Sequence, residues 1–126
     1  MIDAQTVDWV LDNDPDVSII DRPGEFEYTV DVSVGGMTGS GRIMITGRTS
    51  KTCVVFTTEP VSANLREALR ACEQVAGVTI AIDHGGEFCF RAAVLRADSV
   101  PFAIMNTLQF LAIVKIKFDE MVRAKG

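Results

Sequence analysis

The chain has one histidine, His84, and it follows Asp83 directly. This pair is the arrangement in the sequence that most resembles a catalytic one. Asp83 and Glu87 flank His84 in sequence, and a carboxylate beside an imidazole is a common arrangement for proton transfer. The same residues fall in a predicted hairpin turn, where histidine is tolerated in left-handed backbone. Since no nucleophile signature accompanies this histidine, we interpret it as a solvated turn residue and assign no catalytic residue.

Three cysteines, Cys53, Cys72 and Cys89, are the remaining candidates for a nucleophile. Each falls inside a predicted strand or helix, where cysteine usually packs as a small hydrophobic residue. No basic pattern near them marks an activated thiolate, and their spacing supports no cysteine–histidine pair. The odd number without a CxxC spacing indicates reduced, buried thiols in a reducing compartment.

Neither a metal site nor a cofactor site is predicted from the acidic and glycine-rich segments. Acidic residues alternate from Asp12 to Asp16, as they do in a calcium-binding loop. That loop requires glycine at its sixth position and glutamate at its twelfth, where this chain has Val17 and Pro23. The glycines between 35 and 47 match neither a dinucleotide-binding motif nor a P-loop, since Met44 stands where a third glycine is required. We therefore expect an acidic turn and a flexible hairpin loop in these two places.

Size and charge limit the classes of partner. The 126 residues fit one domain, residues 1–126, which needs neither a metal nor a disulfide to fold. A net charge of −5 and a pI of about 4.7 disfavour binding to nucleic acid and to anionic membranes. The N-terminus lacks the pattern of a signal peptide, and the longest apolar stretch, Leu108–Val114, is too short to span a bilayer. We expect a cytoplasmic protein with no nucleic-acid and no membrane partner.

Hydrophobic periodicity predicts an α+β fold. Apolar and polar residues alternate from Phe26 to Val34, which is typical of a strand with one buried face. Asp3 can cap a first helix, which Pro15 ends, and Gly77 ends a middle helix that begins at Ser62 or Asn64. Asn64 and Glu67 have the spacing of a capping box. The predicted apolar stripe of the middle helix is Leu65, Ala68, Leu69, Cys72, Val75 and Ala76. In order, the predicted elements are a helix (3–13), three or four strands (17–20, 26–34, 42–47 and 52–58), a helix (62–76), a hairpin (78–83 and 87–95) and a long helix (98–123). We expect an antiparallel sheet with the middle and long helices packed on it.

The long C-terminal helix is more apolar than an ordinary surface helix. Its apolar side chains cover about two thirds of the circumference, whereas one sheet covers a stripe of roughly 100–140°. We therefore predict a homodimer, because exposed apolar patches usually mark an interface. The predicted interface residues are Ile104, Leu108, Phe110, Leu111, Val114, Phe118 and Met121. A competing prediction is intramolecular: the first helix and residues 17–20 fold over the long helix and cover its second face.

This order of elements resembles the type III secretion chaperone-like fold, and the C-terminal half is similar to the YbjN family. The similarity runs from Asn64–Leu69 through Ala76–Asp83 and Gly86–Arg91 into the long helix. An asparagine expected near Ala71 is missing from this chain. The resemblance consists of hydrophobic placement, and it brings no catalytic residue with it.

The resemblance implies a dimeric, non-enzymatic domain, since secretion chaperones of this fold are small and acidic and bind an unfolded stretch of a client across their sheet surfaces. We therefore expect a chaperone-like protein-interaction domain that binds a partner polypeptide. Two alternatives stay open. One is a small-molecule-binding or catalytic domain around Asp83, His84 and a nearby thiol, which requires a deep pocket with converging polar groups. The other is an immunity or antitoxin-like inhibitor, whose acidity suits a basic toxin.

Overall fold

The computed structural model describes residues 1–39, 41–61, 64–83, 85–97 and 101–125. Within these residues the chain forms three helices and six strands. In order they are α1 (Ala4–Asn13), β1 (Val17–Gly24), β2 (Glu27–Val32), β3 (Gly41–Thr46), β4 (Cys53–Thr58), α2 (Leu65–Glu73), β5 (Thr79–Ile82), β6 (Phe88–Leu95) and α3 (Pro101–Lys125). The α+β class and the predicted order are confirmed, with four strands before the middle helix. The predicted start of the middle helix at Ser62, that of the long helix near residues 98 and 99, and His84 lie outside the described residues.

The six strands form one antiparallel sheet in the order β1–β2–β3–β4–β6–β5. The first four strands follow one another as neighbours, and β6 then pairs with β4, which leaves β5 on the outside. The alternation read from the sequence of β2 sets its two faces, because Tyr28, Val30 and Val32 are buried while the residues between them are partly exposed. One face of the sheet therefore carries the core.

The three helices pack on this apolar face of the sheet. Helix α3 contacts β2, β3, β4 and β6, whereas α1 contacts β1 and α2 contacts β5. Both shorter helices also contact α3, and they do not contact each other. Helix α3 therefore lies in the middle of the helical layer, with the sheet beneath it and one shorter helix along each flank.

This arrangement buries most of the apolar arc of α3 within the chain. Five of the residues predicted to form a dimer interface are at most 3% exposed: Ile104, Leu108, Leu111, Val114 and Phe118. Met121 is partly buried, and Phe110 is 46% exposed. The expectation that several of these residues face water is therefore wrong, because α1 and α2 cover the flanks of α3 that the sheet cannot reach. The homodimer and its interface stay predictions, and Phe110 is the predicted interface residue with the most exposed side chain.

Helix α1 is held to the sheet by a buried phenol and an arginine. The Tyr28 hydroxyl donates a hydrogen bond to Oδ1 of Asp8 at 2.6 Å. The Arg22 guanidinium lies 3.3 Å from the Asp8 carboxylate and 2.7 Å from that of Asp12. Burial, and next the hydrogen bond to Asp8, raises the pKa of Tyr28 above its ordinary value. The residues come from α1, β1 and β2, so the contact fixes the position of α1 against these two strands.

A second contact fixes the N-terminus beside the end of β6. The buried Ile2 donates its backbone N–H to the carbonyl of Arg96 at 2.6 Å, and Arg96 Nε donates back to the Ile2 carbonyl at 3.2 Å. The Arg96 guanidinium also donates to the Ser50 carbonyl and lies 4.9 Å from the centroid of the Phe26 ring. Phe26 adopts a positive φ of 61° between β1 and β2, and its ring occupies the space where Gly47 would carry a β-carbon. The glycine is required here because the aromatic ring packs on its backbone.

Helix α2 differs from the prediction in its cap and in its apolar face. The side chain of Asn64 makes no capping hydrogen bond, and Glu67 pairs instead with Lys125 at 3.2 Å. Leu65 and Leu69 are 43% and 54% exposed. The residues of α2 that are buried are Ala68 and Ala71. The predicted apolar stripe is therefore wrong at both leucines, which face away from the core.

Candidate functional site

Asp83 serves the turn of the β5–β6 hairpin. Its Oδ1 accepts the backbone N–H groups of Gly85 and Glu87, both at 2.9 Å. The backbone N–H of Asp83 donates to the Glu87 carbonyl at 2.8 Å and closes the hairpin. The predicted partner His84 lies outside the described residues. A carboxylate oxygen that already accepts two backbone donors is engaged in local structure, as an aspartate in a turn usually is.

Two of the three thiols, those of Cys72 and Cys89, lack the features of nucleophiles. Cys89, on β6, is 2% exposed, and burial and next the charge of Asp83 raise the pKa of its thiol. Burial also raises the pKa of Cys72. A nucleophilic cysteine needs a lowered pKa and an accessible thiolate, and these two residues have the opposite. Cys53, Cys72 and Cys89 are all free thiols.

The acidic segment after α1 is a structural turn. Oδ1 of Asp14 accepts the backbone N–H of Asp16 at 3.0 Å, and Asp14 is only 8% exposed. Asp12 pairs with Arg22 on the neighbouring strand. Among the residues that the structure describes, no group of three or more histidine, cysteine, aspartate or glutamate side chains is placed to hold a metal ion.

The helix-free face of the sheet holds a shallow groove of about 450 Å³. Small uncharged side chains from β3, β4, β5 and β6 form much of its lining: Thr46, Val55, Thr57, Ala81 and Cys89. Its charged lining residues are Asp83 and Arg91. Of the two candidate catalytic groups in this lining, Asp83 is engaged in the turn and Cys89 is a buried thiol.

Four large exposed apolar side chains lie on α2 and on the last two strands, where α2 contacts β5, and we call this surface the α2–β5 corner: Leu65, Leu69, Ile82 and Phe88. Ile82 is 67% exposed, and Phe88, its partner across the β5–β6 pair, is 36% exposed. The backbone N–H of Val61 donates to the Phe88 carbonyl at 2.8 Å, which brings the segment leading into α2 beside this end of the hairpin. Single exposed apolar residues are normal, but a group of large ones on adjacent elements is typical of an interaction site.

The backbone of β5 adds unpaired polar groups to this corner. The N–H of Asp83 points to β6, where it meets Glu87. In an antiparallel pair the direction alternates, so Ala81 also faces β6, whereas the N–H and C=O groups of Ile80 and Ile82 point away from the sheet. In the described part of the chain no strand pairs with that side of β5. An open edge that carries apolar side chains is a template for pairing with another strand.

A second apolar surface lies on the outside of the helical layer. Trp9 on α1 and Phe102 in the first turn of α3 are 55% and 67% exposed. Trp9 and Pro101 line one hollow of about 350 Å³, and Phe102 follows Pro101 in the chain. We call this surface the α1–α3 groove. Phe110 lies two turns further along α3 and lines a separate hollow of about 270 Å³.

The sequence predictions missed both surfaces. The position of Trp9 is readable from a helical wheel, because it lies opposite the buried face of α1 formed by Val7, Val10 and Leu11. The α2–β5 corner has no such signal. It depends on β5 being the outermost strand, and hairpin patterns do not reveal which of two strands pairs with the rest of a sheet.

Within the described residues, α3 is the one helix long and apolar enough by length and composition to cross a membrane. The core helix of a globular fold passes the same test, and α3 packs on four strands and two helices. We interpret its apolarity as that of a core helix.

In three comparisons with known proteins, no family model, no curated protein and no solved structure matches this chain. The similarity to the YbjN family and to secretion chaperones therefore stays a prediction.

Proposed function

We propose that this chain is a non-enzymatic, chaperone-like protein-interaction domain that works as a cytoplasmic homodimer and binds a partner polypeptide. The observation that carries the proposal is the α2–β5 corner. There an open strand edge and four large exposed apolar side chains occur together. Leaving such a side chain in water forgoes about 1.5–3 kcal/mol of burial for each one, so covering the corner by a second chain is favourable.

In the proposed homodimer, the β5 strands of two copies pair antiparallel about a two-fold axis near Ala81. Ile80 of one copy then lies opposite Ile82 of the other, and their outward backbone groups form about four hydrogen bonds. The two sheets become continuous, and Leu65 and Leu69 of both copies meet above the new strand pair. A closed two-fold arrangement leaves no open edge on this side, which prevents further growth.

The non-enzymatic part of the proposal is supported by the engagement of the candidate groups. Asp83 holds a turn, and Cys72 and Cys89 are thiols whose pKa values burial has raised. The inhibitor alternative also requires protein binding, and it differs from a chaperone-like role in the identity of the partner. A pull-down from native cells, followed by mass spectrometry, separates these two. A stoichiometric small molecule in the purified protein would instead support the ligand-binding alternative.

Light scattering at micromolar concentration tests the dimer. We expect a mass of about twice 13.7 kDa for the natural chain. Ile82→Glu and Leu69→Glu should give monomers with unchanged circular dichroism, because each places a charge in the proposed interface. Leu95→Glu is the matched control, since Leu95 is 64% exposed on the helix-free face. A monomeric natural chain would refute the proposed dimer. If only Phe110→Glu gives a monomer, the interface lies on α3 and not on β5.

A further inference from the structure

The α1–α3 groove has the shape of a site for one more helix. Trp9 is exposed on α1 and lines a hollow with Pro101, and the next residue of α3, Phe102, is also exposed. The hollow also borders Asp3, Gln5 and Thr6 on the first turn of α1 and just before it. A depression between two adjacent helices that carry exposed aromatic side chains is a common receptor for the apolar face of an amphipathic helix. Tryptophan and other large aromatic residues are typical anchors of such contacts.

The segment that contains α1 is acidic. Residues 1–21 contain six aspartates, and neither they nor residues 101–114 contain lysine or arginine. Arg22 pairs with Asp8 and Asp12, and Arg96 donates to the Ile2 carbonyl, so these two cations offset only part of the charge. The potential around the exposed aromatic side chains is therefore negative. A negative rim attracts a cationic segment, and it repels nucleic acid and anionic lipid.

We propose that the α1–α3 groove is the docking site for a cationic amphipathic helix of the partner polypeptide. The apolar face of that helix packs on Trp9 and Phe102 and places one bulky side chain in the hollow beside Pro101. Its lysine or arginine side chains face the aspartates of residues 1–21. This inference rests on the proposed function and adds the chemistry of the partner and the surface it uses. The proposed dimer contact at Ile82 lies on the β5 edge, so a dimer leaves the groove accessible.

The single tryptophan of the chain lies in the groove and reports directly on binding. The probe is a tryptophan-free peptide of leucine and lysine, patterned as an amphipathic helix, and the control peptide carries glutamate in place of lysine. With the lysine peptide we expect a saturable blue shift of the Trp9 emission. Raising the salt from about 0.1 M to about 1 M shortens the screening length from about 10 Å to about 3 Å, so binding should weaken. Equal binding of the glutamate peptide, or no binding of either, overturns the proposal.

Variants distinguish specific binding of the peptide in the groove from nonspecific electrostatic attraction to an acidic protein. With a fluorescently labelled lysine peptide, Phe102→Glu and Trp9→Ala should each weaken binding by about tenfold or more, the usual effect of removing an anchor. Leu95→Glu on the helix-free face should change it less than about twofold, within the range of a surface substitution. If Phe102→Glu binds as well as Leu95→Glu, the site is wrong. If Phe102→Glu instead breaks the dimer, the groove holds a second copy and the proposal fails. Ile82→Glu should bind normally, so loss of the dimer and loss of docking are distinguishable.

Discussion

Replacing Gly47 with alanine is expected to lower the free energy of unfolding by about 2–3 kcal/mol, although alanine is usually the more stabilising residue. The ring of Phe26 occupies the position of the new β-carbon, and Phe26 is only 7% exposed. Displacing the ring forfeits much of its burial, about 1.5–3 kcal/mol. It also weakens the contact with the Arg96 guanidinium, which is worth about 0.5–1 kcal/mol. Alanine also lowers the conformational entropy of the unfolded chain, which offsets about 0.4–1 kcal/mol of this loss, since the φ of Gly47 is one that alanine can adopt.

Urea unfolding followed by Trp9 fluorescence and circular dichroism measures this loss. All variants are compared at one protein concentration, because self-association adds to the apparent stability. For a chain of this length the expected loss lowers Tm by roughly 6–15 °C. Gly35→Ala is the matched control, since no atom lies within 4 Å of its β-carbon position and its φ is not in the left-handed region. We expect that control to stay within about 0.5 kcal/mol of the natural chain.

A double-mutant cycle identifies the ring as the cause. In a Phe26→Ala background the β-carbon at position 47 meets no ring, so Gly47→Ala should be close to neutral there. Two results would refute the reasoning. One is a loss below about 0.5 kcal/mol for Gly47→Ala alone, which is the usual range of harmless surface changes. The other is the same loss with and without the Phe26 ring.

Three further predictions concern other parts of the fold. Tyr28 is the only tyrosine, and its raised pKa stabilises the fold below the ordinary value of about 10 and ceases to do so as the pH rises. Its phenolate absorbance should therefore appear only together with unfolding. Asp8→Asn should lower the pH at which this absorbance appears. Titration of Tyr28 near pH 10 in the folded natural chain would contradict the prediction. A thiol reagent should modify Cys53 before the buried Cys89, as peptide mass spectrometry can follow, and equal rates would mean that β6 is open. Gly41→Ala should destabilise the chain by about 1–3 kcal/mol in urea unfolding, because its β-carbon would lie 2.6 Å from an alanine of α3; a neutral result would mean that α3 shifts freely.

Local patterns were sufficient to predict most of the fold. The alternation around Tyr28 and Val30 gave the correct buried face of β2, because side chains in a strand alternate regardless of what covers them. Asp3 caps α1 as expected, accepting the N–H of Thr6 at 2.9 Å. Gly77 has a left-handed φ of 84°, but the prediction that it ends the middle helix is wrong, because α2 ends at Glu73. The alternation and the cap depend on residues close in sequence, and their physical causes are local.

Contacts between distant residues were not predictable in this way. The bond between Tyr28 and Asp8 spans 20 residues, and that between Arg96 and Ile2 spans 94. Each side chain alone has an ordinary surface interpretation, since tyrosine and arginine are amphipathic and often lie at the boundary of the core. Only the strand order brings these partners together, and no pattern in a single sequence specifies it.

In α2 and α3 the apolar content of the sequence does not indicate which side chains are exposed. The wide apolar arc of α3 predicted an exposed face, but α1 and α2 cover most of that arc. Among the predicted interface residues, Phe110 has substantial exposure. The apolar stripe of α2 was predicted to be buried, but its buried residues are two alanines and its two leucines are exposed. Small residues let two helices approach closely, so the close contact of α2 with α3 requires that Leu65 and Leu69 lie elsewhere. Exposed apolar surface therefore remains at the edge of the sheet, where Ile82 and the unpaired backbone of β5 lie, and on the outside of the helical layer at Trp9 and Phe102.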